Sequence, residues 1–175
     1  MHKLLVLAAP LALLASPALA QSTDVTGTVS IDGSVAGRCM FTVPNKTISL
    51  GEISLASNGK LDVSKVNGRS EKLTGWCNNT AASMTVTTTQ LTNTTTAPTG
   101  FDNRVDYTAT ATTGSTSAND SSLTTGAGSP SSVGLFSGDI NVVLSAASSP
   151  NNALMVAGTY NGNVVVTLTP TVIGG

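Results

Sequence analysis

Histidine is all but missing from this sequence. The one imidazole in 175 residues is His2. It sits in a segment that reads as a leader. His2 and Lys3 are polar, Leu4 to Leu14 are apolar, and Ala18-Leu19-Ala20 has the small-x-small form of a cleavage site. With residues 1–20 removed as a signal peptide, no imidazole remains for Ser-His-Asp or Cys-His catalysis, and a metal site loses its commonest ligand. Charge is scarce too. Without Lys3, seven basic side chains stand against nine acidic ones. No basic cluster offers itself to nucleic acid or to an anionic membrane surface. Long apolar runs are also lacking. The run from Leu4 to Leu14 is too short to span a bilayer and no later run does better, so no transmembrane span is expected. The mature part, residues 21–175, is enough for one exported domain with a core.

Carboxylates give no catalytic pair. Asp102 and Asp106 flank Arg104 and read as a solvated strand edge with a surface ion pair. Asp120 and Asp139 stand alone near Gly and Ser, without calcium-loop spacing. Trp76 could stack on a sugar ring, but a tryptophan beside a cysteine is more often core or rim packing. No catalytic residue, cofactor or metal is expected, and the chain reads as a non-enzyme.

Cysteine is limited to Cys39 and Cys77. In an oxidising compartment these two should pair. Closing a loop of that length would stabilise the fold by about 4 kcal/mol in the chain-entropy model.

What the chain has in quantity is Val, Thr, Ile and Ser without helical periodicity, which predicts an all-β domain. Strands are expected at Ser34–Val43, Thr47–Ile53, Glu71–Cys77 with Leu73 inward, Ser83–Leu91 with Met84, Val86 and Thr88 alternating, and Arg104–Thr112 with Val105, Tyr107 and Ala109 on one side. Two more are expected at Ile140–Leu144 and Tyr160–Pro170. Asn58-Gly59 and Asn67-Gly68 mark turns, with a short edge element of Leu61, Val63 and Val66 between them. Residues 113–132, rich in Gly, Ser and Thr, read as a surface loop.

One strand is surplus. Residues 21–37 alternate with period two, placing Val25, Gly27, Val29 and Ile31 on one face and Thr26, Thr28 and Ser30 on the other. An immunoglobulin-like sandwich needs about seven strands in two sheets. A sandwich without its final strand leaves a groove beside the last one present. Such a groove would lie along Tyr160, Val164, Val166 and Leu168. The front strand has the pattern to fill a groove of that kind in another copy. Burying Val25, Val29 and Ile31 would stabilise the joint by about 5–9 kcal/mol before entropy costs. Gly27 interrupts the apolar face, through either a narrow point in the groove or a bulge.

Four stretches together carry a family resemblance. Thr28-Val29-Ser30-Ile31-Asp32-Gly33-Ser34-Val35 followed by Cys39, Ile48-Ser49-Leu50-Gly51-Glu52-Ile53, Leu73-Thr74-Gly75-Trp76-Cys77, and Ala157 to Leu168 with Gly158-Thr159-Tyr160 resemble, in order and spacing, the bacterial chaperone–usher pilins. The chain ends Thr171 to Gly175 where many such pilins carry a next-to-last tyrosine.

The resemblance implies an incomplete immunoglobulin-like sandwich, residues 34–175, behind a donor-strand extension, residues 21–33. It implies a structural subunit that polymerises by donor-strand exchange into surface fimbriae for adhesion or biofilm formation. Its partners would be identical or related pilin subunits, a periplasmic chaperone and an outer-membrane usher. Its route would run through the periplasm to the cell surface. The alternative is a monomeric exported β-sandwich that binds carbohydrate or another surface ligand. A tip adhesin is a third option, with little room in the chain for a receptor-binding domain.

Overall fold

The computed structural model describes residues 24–171. The expected signal peptide, and residues 21–23 of the expected extension, lie outside the described residues. Among those described, the chain is all-β. Its strands are β1 (Cys39–Val43), β2 (Ser70–Cys77), β3 (Ser83–Thr88), β4 (Leu91–Thr92), β5 (Phe101–Asp102), β6 (Arg104–Thr113), β7 (Thr116–Ser121), β8 (Ser131–Ser132), β9 (Phe136–Ser148), β10 (Leu154–Met155) and β11 (Val164–Thr169). The chain divides into two compact units at Ser34/Val35.

In the first unit, residues 24–34 carry no strand. Val25, Val29 and Ile31 are 93%, 86% and 92% exposed. The period-two pattern predicted a strand here, but a strand needs a ladder partner for its backbone groups. The strand expected from Ser34 likewise begins only at Cys39. Its partner β2 ends at Cys77, and beyond it the Asn78 side chain bonds Ala36 O and Arg38 N instead.

The second unit is built around two antiparallel sheets, with a third, two-stranded parallel sheet of β5 and β10. The larger runs β1–β2–β9–β6, with both β4 and β7 paired to β6, and the smaller runs β11–β3–β8. Their inner faces share one apolar cluster. Met84, Val86 and Val166 come from the small sheet, and Val105, Tyr107, Ala109, Ala111, Ile140, Val142 and Leu144 from the large one. Strict alternation explains the faces: Met84, Val86 and Thr88 are buried while Ser83, Thr85 and Thr87 are not. Cys39 faces Cys77 in register across β1 and β2, and the two form the expected disulfide.

Three expectations change. Residues 113–132 are a surface loop only in part, over residues 123–130. They hold the second strand of a tight hairpin, with Thr113 opposite Thr116 and Gly114 at φ +55° in the turn, a conformation that favours glycine. The inward residues are Ala118 and Asp120. A buried carboxylate in the apolar row broke the pattern that would have revealed the strand. Second, Asp102 and Asp106 are not solvated. They are 3% and 2% exposed, and Arg104 Nε lies 3.5 Å from Asp106 Oδ2. Third, residues 47–53 form no strand, although Ile53 is buried and Ile48 and Leu50 pack on the cluster.

Two of the buried carboxylates, Asp120 and Asp102, bond backbone N–H groups where ladders end. Asp120 Oδ2 accepts from Thr88 N and Thr88 Oγ1, both at 2.7 Å. That joint brings β7 alongside β3 and closes one side of the sandwich. Asp102 accepts from Asn151 N at 3.1 Å, Asn151 Nδ2 at 2.7 Å and Ala153 N at 3.0 Å. Burial opposes its ionisation, yet the Ala153 N–H, the Asn151 side chain and N–H, and Ser149 outweigh burial. They hold the carboxyl below its ordinary value of 3.8.

Two outcomes follow from these joints. Removing the disulfide by Cys39→Ala with Cys77→Ala should lower unfolding stability by about 4 kcal/mol, read from denaturant midpoints; an unchanged midpoint would show the crosslink to be idle. A depressed folded pKa gives Asp102 a stabilising contribution that is complete above 3.8 and is lost as pH falls through the lower folded value. Asp102→Asn should therefore be less stable than the parent at neutral pH, and the difference should shrink in acid. A difference that grows on acidification would refute this role.

Candidate functional site: an open seam beside the last strand

The side of the sandwich opposite the β7–β3 joint is open. Two adjoining cavities of about 280 Å³ and 670 Å³ share Thr47, Ile48, Leu50, Leu91 and Gly162 in their linings. One wall is residues 46–54 and the other is residues 155–164, leading into β11. The floor includes Leu91, Tyr107, Val142 and Leu144, with Leu73 at the side. The wall of residues 46–54 could extend for about 30 Å at most, at about 3.3 Å per residue.

Each wall has a stretch of backbone without a ladder. The small sheet ends at β11, which pairs only with β3 among the described strands. Among the described residues, the backbone of residues 44–51 makes no backbone–backbone hydrogen bond, and neither does that of residues 158–160. Backbone N–H and C=O groups are obligatory bonding groups, so here they are left to water or to an added strand.

The far wall is pinned independently of any occupant. Tyr107 Oη donates to Thr89 O at 2.8 Å and Asn163 O at 3.3 Å. Burial, helped by the charge of Asp120, pushes its hydroxyl up to about 12, so it remains a donor. Tyr160 Oη donates to Val156 O at 2.8 Å and Asp102 O at 3.2 Å. Burial raises this phenol as well. Gly162 passes so close to the β3–β4 turn that a Cβ there would stand 2.7 Å from Gln90 O. The near wall is anchored by Asp62 N donating to Ile53 O at 2.8 Å and by the Ser54–Leu61 bridge.

The residues expected to line an acceptor groove divide. Tyr160 borders the larger cavity and Val164 the smaller. Val166 is buried in the apolar cluster and Leu168 packs against it, one and two pleats further along β11. Sequence reasoning named one wall only. It missed the opposing wall as a groove element, although a strand is expected there at Thr47–Ile53, and it missed the floor supplied by Leu91, Tyr107, Val142 and Leu144. Trp76 lies away from the seam, opposite Met40 in β1.

Among the described residues no helix is long and apolar enough to cross a membrane. No family model matches the chain, and no curated protein or solved structure is significantly similar to it.

Gly162→Val should force residues 158–163 off the Gln90 carbonyl and cost about 1–3 kcal/mol. The exposed neighbour Asn163→Ala should shift stability by no more than about 0.5 kcal/mol. Equal denaturation midpoints for the two variants would show that the close approach does not constrain the wall.

Proposed function

We propose that this chain is a structural subunit that polymerises by donor-strand exchange, in which residues 24–35 of one copy occupy the open seam of another. The observation that carries this reading is the seam itself: two backbone edges without ladders, facing each other over an apolar floor. The same chain carries an extension with Val25, Val29 and Ile31 almost fully exposed. An added strand would supply ladder partners to both edges and cover the floor, the physics of β-strand addition. It would also complete an immunoglobulin-like sandwich.

Orientation and partner follow from strand physics. The small sheet is antiparallel throughout, and antiparallel addition is slightly the more stable per residue. In its own domain, an extension running antiparallel to β11 would end near Tyr160. It would then have to retrace the groove to reach Cys39. A neighbour's seam imposes no return. Receiving an exposed apolar strand in a neighbour also removes an aggregation hazard. On this reading a periplasmic chaperone shields the seam during export, an outer-membrane usher orders the exchange, and the product is a surface fimbrium. The resemblance to chaperone–usher pilins supports each of those steps.

Deleting residues 21–31 should leave a disulfide-intact monomer unable to join a chain through its own front segment. The full protein should give multimers that resist SDS and collapse on heating. Normal fibres built wholly from the deletion variant, or a full-length protein that stays monomeric at high concentration, would sink the proposal.

A further inference from the structure

The domain has two poles, fixed by register. Cys77 in β2 lies opposite both Cys39 and Phe136. Asn79 beyond it donates to Thr171 O, just past β11. The disulfide, the entry into β1 and the end of β11 therefore share one pole. At the opposite pole, β10 pairs with β5, and the Ser54–Leu61 hairpin joins them through the Lys60–Leu154 bridge. This cap has its inward side filled by Leu61, Asp102 and Met155. Its outward residues are Leu55, Phe101 and Leu154, which are 36%, 38% and 39% exposed. Three neighbouring apolar side chains on the outside of a small sheet point to a covering partner. Leu154 packs on Gly59, and Gly59 and Met155 line the larger cavity. The apolar cap is thus continuous with the mouth of the seam.

We infer that the cap of one subunit packs against the disulfide pole of the next, so that consecutive domains are held end to end as well as threaded. The inference rests on the proposed strand exchange and adds a second joint to it. A donor lying antiparallel to β11 leaves the seam at the Tyr160 end, beside the cap. Eight residue steps separate Ile31 from Cys39, which reach at most about 28 Å even fully extended. The tether therefore holds the donor's own disulfide pole close to its host's cap. That pole also carries exposed apolar side chains: Val35, Met40 and Leu135 are 88%, 55% and 63% exposed. The occupant of the cap is a second copy of this chain, because the tether delivers that surface and no other.

The test uses assembled full-length protein. Phe101→Ser with Leu154→Ser should leave the SDS-resistant ladder in place while the persistence length of fibres, measured by electron microscopy, falls severalfold. Leu154→Cys with Leu135→Cys, mildly oxidised after assembly, should give multimers that survive boiling without reductant. Leu154→Cys with Asn119→Cys, the latter at an exposed position of β7, should not. Ladders with unchanged stiffness and no Leu154–Leu135 crosslink would overturn the end-to-end joint and leave strand exchange standing. Absence of a ladder from the parent protein would overturn strand exchange, and the joint with it.

Discussion

The structure depends on backbone hydrogen bonding that its own strands leave unfinished along one side. Along its central strands the domain satisfies its backbone by ladders. Among the described residues, 44–51 and 158–160 make no backbone–backbone hydrogen bond, and the floor between them is apolar. Leaving such edges to water costs little, because the solvent bonds them. Leu91, Val142 and Leu144 are already buried, but Ile48, Leu50, Leu73 and Val164 around them are only partly so, and burial is the dominant favourable term in folding. An added strand supplies both at once. A small ligand would cover part of the floor but could not bond the backbone of both walls.

A seam of this kind is useful only if it keeps its width when empty, and the polar interior accounts for that. Few acidic residues are present, yet Asp102, Asp106 and Asp120 are buried. Asp120 ties the end of β3 to β7 on the closed side. Asp102 organises residues 151–153 just ahead of the cap and the far wall. Tyr107 and Tyr160 then spend their hydroxyls on carbonyls of that wall. Buried polar groups that are hydrogen-bonded, as Asp102, Asp120, Tyr107 and Tyr160 are, cost desolvation but specify one geometry. Here they hold one wall by contacts that do not involve the occupant.

The alternation of single residues made the central strands legible. Met84, Val86 and Thr88, and Val105, Tyr107 and Ala109, face inward as their pattern predicts. The disulfide was legible from the compartment that a leader implies. The β7 strand was not, because its inward positions are Ala118 and Asp120, one small and one charged. The burial of Asp102 and Asp106 was hidden for a similar reason. The partners of Asp102 are the amides of Asn151 and Ala153, brought near by tertiary folding, which no local spacing encodes; the pairing of Asp106 with Arg104 was in view, but not the burial of Asp106. The end of the far wall was readable as the final strand, although that strand begins at Val164 and not at Tyr160. The other wall was misread as a strand, since Ile48 and Leu50 alternate but Gly51, at φ +69°, breaks extended geometry before a ladder could form.

On the proposed reading, stability belongs to the joint more than to the monomer. A partner that binds only the folded state adds stability by mass action. Here that partner is another copy, so each domain becomes firmer as the polymer grows. Dissociation would have to break ladder bonds on two edges and re-expose Val25, Val29 and Ile31 together. Neither cost can be met stepwise from the middle of the strand, where both flanks remain held. Fraying must begin at an end. The end beside the cap is the one where the tether, and the apolar surface it carries, oppose it. The position of Leu55, Phe101 and Leu154 at that mouth is therefore what a load-resisting joint requires.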